Sequence, residues 1–411
     1  MNMNSPLPMQ YLGSKTRISN WVVSNIKDSF PSSTTLIDLF GGSGSISFSA
    51  LKYDYTLYIN DVQPYSYIIL KSIFSESRDG LKELANDILK LKDEKYLLRN
   101  SRSDARNLLE KETILFNKHQ DKSLDWVEYK EFCETTPLLS GNKEEIMKLR
   151  KDNDWNLFFK YYANTYFGIK QCLVLDKLRE YAEGLSPNLR CHLIASTISV
   201  MTFAVSSTTH LAQFLKPTSK KRVDNLINKR DIDIIDKVSD RLKQLSKSPL
   251  PKYTSTILNL DFKDALCNID LNKNSIVYVD PPYFKEHYSR YYHVLDTFYL
   301  YDYPHLTINP RINKVTIGRY REDRFVSEFG LKSKVKKAFE NLFDLCYECK
   351  ANIVLSYADT SLLKKEIILE IAENSGYRGH VKQKKLMHTG QGQPRNKKVI
   401  EYLYFFEPNG D

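Results

Sequence analysis

The 411-residue chain is poor in cysteine, glycine and proline, and it has no long hydrophobic run. With 15 glycines and 15 prolines, it cannot be a collagen-like or Gly/Pro-rich low-complexity protein. Its apolar runs, such as residues 353–355, are far shorter than the roughly 20 residues that a membrane-spanning helix needs. The first ten residues lack a basic start and an apolar stretch, so no signal peptide is expected.

The six cysteines are too few for a disulfide framework in a chain of this length. Their scarcity predicts a reducing, cytoplasmic location. Cys346 and Cys349 form one Cys-x-x-Cys without the second pair that would complete a zinc site, so we expect two ordinary thiols and no metal site.

Positive charge is in excess and unevenly distributed. The chain has 60 Lys and Arg against 50 Asp and Glu, a formal net charge of +10. Residues 214–253 contain eleven basic and five acidic side chains, and residues 376–400 contain seven basic and no acidic ones. Such segments favour a polyanionic partner, because neutralising phosphates releases condensed counterions. A solvated surface would show the same composition, so charge alone leaves both interpretations open.

The order of predicted elements indicates an α/β domain that contains an insertion. Residues 35–40 and 55–59 are β-prone and flank a glycine-rich turn and a helical segment, which together predict a βαβ unit. Further strands are predicted at residues 256–260, 276–279, 353–357 and 400–406. Residues 76–252 are charged, glycine-poor and helical in pattern, with one long helix expected over 81–110. We therefore predict an α/β domain of residues 1–75 and 253–411 and a mainly helical inserted domain of residues 76–252.

The clearest short motif is Asp280-Pro281-Pro282-Tyr283, directly after a predicted buried strand. Prolines end a strand ladder and stiffen the backbone, so the Asp280 carboxylate and the Pro281 carbonyl can be held at a fixed separation. Two such acceptors suit an amine with two protons to donate, and Tyr283 offers a flat face for a planar group. A purely structural turn, in which the aspartate caps a helix and the tyrosine packs in the core, would have the same four-residue sequence.

A second motif, Asp38-Leu39-Phe40-Gly41-Gly42-Ser43-Gly44, follows the first predicted strand. Its glycines permit positive φ angles and close approach of a ligand. It is not the dinucleotide fingerprint, because Ser47 stands where the third glycine belongs. Asp61, twenty residues after Gly41, could accept hydrogen bonds from two ribose hydroxyls or could cap a helix. Upstream, Lys15 in Tyr11-Leu12-Gly13-Ser14-Lys15 could neutralise a ligand carboxylate.

The order of these motifs resembles the Dam-like, alpha-group adenine-specific DNA methyltransferases. The resemblance extends to Asn259-Leu260-Asp261-Phe262 and to the late segment of residues 395–401. It implies a Rossmann-like α/β sheet with helices on both faces, and S-adenosylmethionine consumed as methyl donor. It also implies transfer to the 6-amino group of a flipped-out adenine in double-stranded DNA. The insertion would then be the target-recognition domain.

The resemblance also implies two sets of site residues. The catalytic set, which would hold the target base, is Asp280, Pro281, Pro282 and Tyr283. The cofactor-binding set is Tyr11, Lys15, Asp38, Phe40, Gly41, Gly42, Gly44, Asp61, Asp261 and Phe262. Within it, Tyr11 and Lys15 would hold the methionine end, Asp61 the ribose, and Asp261 with Phe262 the adenine ring. An aspartate with the ordinary pKa of about 4 would be ionised at neutral pH, so Asp280 is expected to act as an acceptor only.

Several alternatives remain open from the sequence. The same acceptor pair would serve the 4-amino group of cytosine, and an inactive DNA-binding relative could keep the fold. A protein or RNA methyltransferase is disfavoured by the large basic insertion. The expected setting is a restriction-modification system, in which a cognate endonuclease would act independently and this chain would be a monomer.

The expected DNA contacts lie in the insertion, at residues 208–213 and 220–222. The aromatic and basic run at residues 287–293 would contact the base or strand, or would be a packed helix face.

Overall fold

The β-branched and aromatic runs form a seven-stranded sheet in the computed structural model, which describes residues 15–135, 143–152, 154–207, 211–282, 288–389 and 396–410. Its strands are β1 (Thr35–Asp38), β2 (Thr56–Asn60), β3 (Ser255–Leu258), β4 (Ser275–Val279), β7 (Asn352–Ala358), β8 (Tyr377–Thr389) and β9 (Asn396–Pro408). The order is β3-β2-β1-β4-β7-β9-β8, and the first five strands are parallel. Strand β9 runs antiparallel to both β7 and β8. The predicted α/β fold is confirmed.

Helices cover both faces of this sheet. On one face, α14 (Phe262–Cys267), α17 (Val335–Glu348) and α18 (Lys365–Asn374) pack over Ile37, Val277 and Ile353 in the main hydrophobic core. On the other face, Phe30 at the end of α1 (Ser19–Ser29) packs against Phe405 of β9, with 6.3 Å between ring centroids. Helices α2 (Ser45–Ala50) and α3 (Pro64–Ile73) follow β1 and β2. In open α/β sheets of this kind, ligands bind at the carboxyl ends of the strands.

The chain divides into two compact units. One contains the sheet and comprises the described residues of 13–70, 251–289 and 325–411. The other comprises residues 71–250 and 290–324. Its elements are α4 (Leu81–Asp87), α5 (Glu94–Leu97), α6 (Ala105–Gln120), α7 (Trp126–Thr135), α8 (Lys143–Asp152), α9 (Leu157–Tyr162), α10 (Ile169–Glu183), α11 (Pro187–Ala204), α12 (Lys220–Arg230), α13 (Ile234–Ser246), α15 (Tyr288–Tyr291, which begins in the sheet unit), α16 (His293–Leu300) and the short hairpin of β5 (Ile308–Asn309) and β6 (Lys314–Val315).

Residues 290–324 thus pack with the insertion, although the sequence assigned them to the α/β segment. The physical reason is apolar contact: in α16, Phe298 meets Phe158 edge to face with 5.5 Å between centroids. Tyr162 also donates a hydrogen bond to Thr297 at 3.3 Å.

The single helix expected over residues 81–110 is wrong. Helix α4 ends at Asp87, a 3₁₀ turn spans Ile88–Lys92, and α6 begins at Ala105. Asp93 is extended, with ψ of 127°, and its side chain accepts a hydrogen bond from Lys95 N, which starts a new helix. Asn100 has a φ of 59° in the loop that follows, so the helical path cannot continue.

Three further observations concern the described residues. All six cysteines are free thiols. No group of three or more His, Cys, Asp or Glu side chains is arranged to hold a metal ion. None of the described helices is both long and apolar enough to cross a membrane.

Candidate active site

The glycine motif and Asp280 lie together at the carboxyl edge of the parallel strands. Asp38 ends β1 and is paired in register with Tyr278 of β4, two residues before Asp280. Leu39 N donates to Tyr278 O at 3.0 Å, and Gly41 N donates to Asn60 O at 2.8 Å. The loop therefore turns between β2 and β4, directly beside the end of the strand that carries Asp280.

Two features of the loop require glycine. Gly42 and Gly44 have φ angles of 51° and 73°, in the left-handed region that glycine adopts without strain. A Cβ on Gly41 would lie 2.8 Å from Ile59 Cγ2 and 3.1 Å from Leu70 Cδ1, so the backbone passes too close to β2 and α3 for a side chain. The loop backbone therefore packs directly against β2 and α3 at Gly41 and changes direction at Gly42 and Gly44.

Asp61 holds this loop in place. Its Oδ2 accepts a hydrogen bond from Gly42 N and its Oδ1 one from Gln63 N, both at 2.8 Å. Ser66 Oγ donates to Gly42 O at 2.6 Å on the same side. Burial raises the pKa of Asp61, although both backbone donors oppose that shift. Each carboxylate oxygen has a second lone pair, so Asp61 can still accept hydrogen bonds from ligand hydroxyls.

A buried ion network surrounds Asp280. Lys15 Nζ lies 2.7 Å from Glu401 Oε1 and 3.2 Å from Asp280 Oδ1. The side chains of Lys15 and Glu401 are only 7% and 1% exposed, whereas Asp280 is 16% exposed. Ser356 Oγ of β7 donates to the same Oε1 of Glu401 at 2.6 Å. Within the part of the chain that the structure describes, Asp280 Oδ1 accepts no aligned hydrogen bond despite its ion pair with Lys15, so this oxygen retains accepting capacity.

The expectation of an ordinary pKa for Asp280 is wrong. Burial raises the pKa of Asp280 to about 7; Glu401 and Asp38 add to the rise, and Lys15 opposes it. Burial likewise raises the pKa of Asp38 to about 6, although Ser47 Oγ donates to its Oδ2 at 2.5 Å. The cause is the low-dielectric surroundings of carboxylates that stand close together. In this site, ionisation of Asp280 is therefore set by its neighbours near neutral pH.

The remaining predicted site residues differ in their surroundings. Phe40 and Phe262 pack around Phe329, with centroid distances of 5.4 and 5.0 Å, and Phe262 is 4% exposed. The Phe262 ring is therefore a core side chain with little exposed surface.

Asp261 caps α14 by accepting a hydrogen bond from Lys263 N at 3.1 Å. Pro281 and Pro282 follow Asp280 at the strand end. Tyr11 and Tyr283 lie outside the described residues, as do residues 208–210.

Sequence reasoning assigned no role to Ser47, Ser356 or Glu401. The signal for Glu401 was present: it is the lone acid in the apolar run of residues 399–406, where a charge needs a buried partner. The two serines carry no comparable signal, because a serine hydroxyl is common in any element.

The sequence matches the D12 class N6 adenine-specific DNA methyltransferases over residues 11–315. The chain belongs to that family. The match spans both the glycine loop and Asp280, the two features that meet at the strand edge.

Curated relatives of this D12 family member include modification enzymes of bacteria. Modification methylase LlaI of Lactococcus lactis subsp. lactis is 26% identical over 98% of this chain and 55% of its own length. Type II methyltransferase M.FokI of Planomicrobium okeanokoites is 26% identical over 90% of this chain and 47% of its own length. Type II methyltransferase M.NlaIII of Neisseria lactamica is 24% identical over 97% of this chain and 99% of its own length. The chain thus spans about half of the first two relatives and nearly all of the third.

The residues at the strand edge fit the methyl donor that a methyltransferase of this family implies. S-adenosylmethionine carries a sulfonium and an ammonium against one carboxylate, a net positive charge. Among the described residues, the site contributes the carboxylates of Asp38, Asp61, Asp280 and Glu401. The ammonium of Lys15 pairs with two of them, Asp280 and Glu401. The spare lone pairs of Asp61 suit ribose hydroxyls, and Gly42 and Gly44 have no side chain that would keep a ligand away from the backbone.

Proposed function

We propose that this chain transfers a methyl group from S-adenosylmethionine to the 6-amino group of adenine in double-stranded DNA. The observation that carries the proposal is the position of Asp280, at the end of β4 beside the glycine loop. Membership of the D12 family supports adenine rather than cytosine as the base. The bound cofactor would supply an electrophilic methyl carbon.

Asp280 and Pro281 would act on the amine of the target base. The 6-amino nitrogen is a weak nucleophile, because its lone pair is delocalised into the ring. Two fixed acceptors, the Asp280 carboxylate and the Pro281 carbonyl, would draw the two amine protons and localise the lone pair. Because these acceptors are held in advance, they stabilise the positive charge that develops on nitrogen. Acceptors of this kind contribute on the order of 10²- to 10³-fold in rate each.

Lys15 and Glu401 would set the charge of that acceptor. Lys15 favours the ionised form of Asp280, and Glu401 opposes it. The ionised carboxylate of Asp280 accepts a proton or a hydrogen bond from the amine more strongly than the neutral acid does, so the reaction should slow as the pH falls below the pKa of about 7. This dependence is the functional consequence of placing the carboxylate in a buried network.

The target base must leave the duplex to reach these residues. Extruding a base costs a few kcal/mol. We infer that Tyr283 recovers part of this by stacking, worth about 1–3 kcal/mol per base in single-strand binders.

We assign residues 76–252 to target recognition. Lys220, Lys221 and Arg222 are exposed in the first turn of α12, where they can contact backbone phosphates.

Within the D12 family, we place the chain in the Dam-like alpha group because of the order of its motifs. We propose that it works as a monomer in the cytoplasm and that a cognate endonuclease acts independently of it. The names of its relatives, Type II methyltransferases, support a role in a restriction-modification system.

Replacing Asp280 with alanine tests the proposal. Asp280→Ala should abolish methyl transfer to duplex DNA while binding of S-adenosylmethionine, measured by calorimetry, persists. Asp270→Ala removes an exposed carboxylate of the same unit and should keep full activity. Nucleoside analysis of DNA methylated by the native chain should show N6-methyladenine; N4-methylcytosine would overturn the choice of base. Retained activity in Asp280→Ala would overturn the mechanism.

A further inference from the structure

Strand β8 forms one edge of the sheet and carries a group of basic side chains. It is the last strand in the order β3-β2-β1-β4-β7-β9-β8, and within the described residues it pairs only with β9. Residues 376–400, which include this whole strand, contain seven basic and no acidic side chains. Successive side chains of a strand point to opposite faces, so Lys382 and Lys384 share one face and Lys385 lies on the other. Methyl transfer as proposed above uses none of these cations.

Lys382 and Lys384 lie on the same face of the sheet as Asp280. In the β8–β9 ladder, Lys384 is directly opposite Glu401, and directly opposite residues of a ladder share a face. Glu401 and Asp280 contact the same atom, Lys15 Nζ, at 2.7 and 3.2 Å. The two β8 lysines therefore lie on the side of the sheet where the target amine would meet Asp280.

The order of the strands fixes how far these lysines are from Asp280. Strands β4 and β8 belong to one compact unit and are three strand spacings apart, about 14 Å at about 4.8 Å per spacing. Strand β9 runs antiparallel to both β7 and β8, so β8 runs in the direction of β7 and β4. Lys384 is opposite Glu401, which is opposite Ala358, the last residue of β7. Lys384 thus lies at the carboxyl edge of the sheet, where Asp280 follows β4.

Helix α1 holds both ammonium groups without neutralising them. Lys382 Nζ donates a hydrogen bond to Asn25 Oδ1 at 2.8 Å, and Lys384 Nζ lies 5.1 Å from the centroid of the Trp21 ring. Trp21 and Asn25 are one turn apart on the same side of α1. An amide oxygen and an aromatic ring attract a cation but carry no net charge. The two lysines are therefore positioned by partners that do not compensate their charge.

The acids on neighbouring elements also leave this charge uncompensated. The Glu401 carboxylate is bound by Lys15 and by Ser356 Oγ, and it is only 1% exposed. Asp28, the acid of α1, lies about one turn beyond Asn25. Among the described residues, neither β8 lysine has a carboxylate within ion-pair distance. This face of β8 therefore presents two positive charges, about 7 Å apart along the strand.

We propose that Lys382 and Lys384 bind backbone phosphates of the DNA substrate next to the target base. The inference rests on the proposed function, which places that base at Asp280. A separation of about 14 Å corresponds to about four base pairs of duplex DNA at about 3.4 Å each. The carboxylates that attract the cationic methyl donor repel phosphates, and the two lysines offset this repulsion at the same edge of the sheet.

The salt dependence of DNA binding tests this site. The measurement is fluorescence anisotropy of a labelled 30-base-pair duplex between 50 and 200 mM KCl, and any sequence serves because phosphate contacts are sequence-independent. Each lost phosphate contact lowers the slope of log K against log salt by about 1 and weakens binding about fivefold at 0.15 M salt. We expect this loss in Lys382→Ala and in Lys384→Ala, and about twice the slope change in the double variant. Lys384→Arg should keep the native slope.

Lys385→Ala is the matched control. It removes the same charge from the same strand, but from the opposite face, where the Lys385 side chain is exposed. It should leave the slope unchanged. A native slope in the double alanine variant, or an equal loss in Lys385→Ala, would overturn the proposal.

A second measurement separates DNA binding from a purely protective role of the lysines. Charged side chains on an edge strand also prevent pairing with another chain. Self-association of the double variant in light scattering, with a native salt slope, would show that protective role and overturn the proposal. Equal melting temperatures exclude misfolding, and Lys382→Gln/Lys384→Gln removes the same charges if the alanine variant does not fold. Absence of methyl transfer by the native chain, with the expected slope changes intact, would instead count against the proposed function alone.

Discussion

Replacing Glu401 with glutamine should move the pH dependence of methyl transfer. Glu401 shares the ammonium of Lys15 with Asp280, and its charge raises the pKa of Asp280. Glutamine keeps the shape of the side chain and an oxygen for Ser356 Oγ, but it removes the charge. Lys15 then has Asp280 as its remaining partner in this network. Both changes favour ionised Asp280, so the acid limb of the rate profile should fall to lower pH.

The size of the shift follows from the geometry. Lys15 Nζ is 2.7 Å from Glu401 Oε1 and 3.2 Å from Asp280 Oδ1, so the two carboxylate oxygens lie within about 6 Å of each other. Two unit charges at that separation repel by about 3 kcal/mol at an effective dielectric constant of about 20. Since 1.36 kcal/mol corresponds to one pKa unit, this repulsion corresponds to a downward shift of about 2 pH units. The other groups that act on Asp280, Lys15 and Asp38, are unchanged.

The assay is transfer of a labelled methyl group to duplex DNA between pH 5 and 9. The profile of kcat/KM for S-adenosylmethionine reports groups on the enzyme before the cofactor binds. The native chain should show an acid limb near pH 7, and Glu401→Gln a limb one to two units lower. Ser356→Ala removes a hydrogen bond but no charge and should shift the limb by less than half a unit, whereas Lys15→Met should raise it. An unmoved limb in Glu401→Gln with a normal plateau would refute the electrostatic reasoning.

Three further predictions concern stability and cofactor binding. Asp280→Asn should raise the free energy of unfolding by about 2–3 kcal/mol more at pH 8 than at pH 5. Burial lifts the native pKa of Asp280 from 3.8 to about 7, so the native state binds the proton more tightly and loses stability as the pH rises through that window. Urea unfolding at both pH values checks it, and an equal effect at both would contradict it. Gly41→Ala should destabilise the chain by about 1–3 kcal/mol, because the new Cβ would meet Ile59 and Leu70. Gly410→Ala, which meets nothing within 4 Å, is its control, and equal melting temperatures for the two variants would sink the packing argument. Asp61→Ala should weaken S-adenosylmethionine binding at least tenfold in calorimetry, because Gly42 N and Gln63 N lose their acceptor. Asp54→Ala, at an exposed ion pair with Lys252, should leave the affinity unchanged, and a similar loss there would show a non-specific charge effect.

The strands and the strand-edge motifs could be predicted because their signals are local. The run Thr-Leu-Ile-Asp is β-prone, and it ends at glycines that only a tight turn needs. The αβ alternation then places both motifs at one edge of a parallel sheet, without any knowledge of side-chain contacts.

What could not be predicted depends on pairing across the chain. Lys15 and Glu401 are 386 residues apart, and the local sequence around either residue does not indicate that the two side chains pair. The pKa of Asp280 follows from that pairing and from burial, so it was equally hidden. Phe262 resembles part of an adenosine-binding segment by sequence, yet its packing against Phe329 is a tertiary property.

The placement of residues 290–324 was hidden for the same reason. Their sequence follows the Asp-Pro-Pro-Tyr motif directly, which favours assignment to the α/β domain. The aromatic contact of Phe298 with Phe158 instead attaches the segment to the helical unit. Such a contact is invisible in a linear sequence, because both phenylalanines lie in ordinary helical patterns.

The raised pKa values and the fit to a cationic methyl donor have one physical origin. Burial among neighbouring carboxylates raises the pKa values of Asp38 and Asp280, and the same negative field attracts a positive sulfonium. Transfer of the methyl group leaves a neutral thioether on the donor, so the attraction weakens once the reaction is complete. Lys15 limits the repulsion among these acids without cancelling it, which leaves Asp280 close to its ionisation point. The network therefore lowers the stability of the native state at neutral pH. It also makes the site bind the charged methyl donor more strongly than its neutral thioether product.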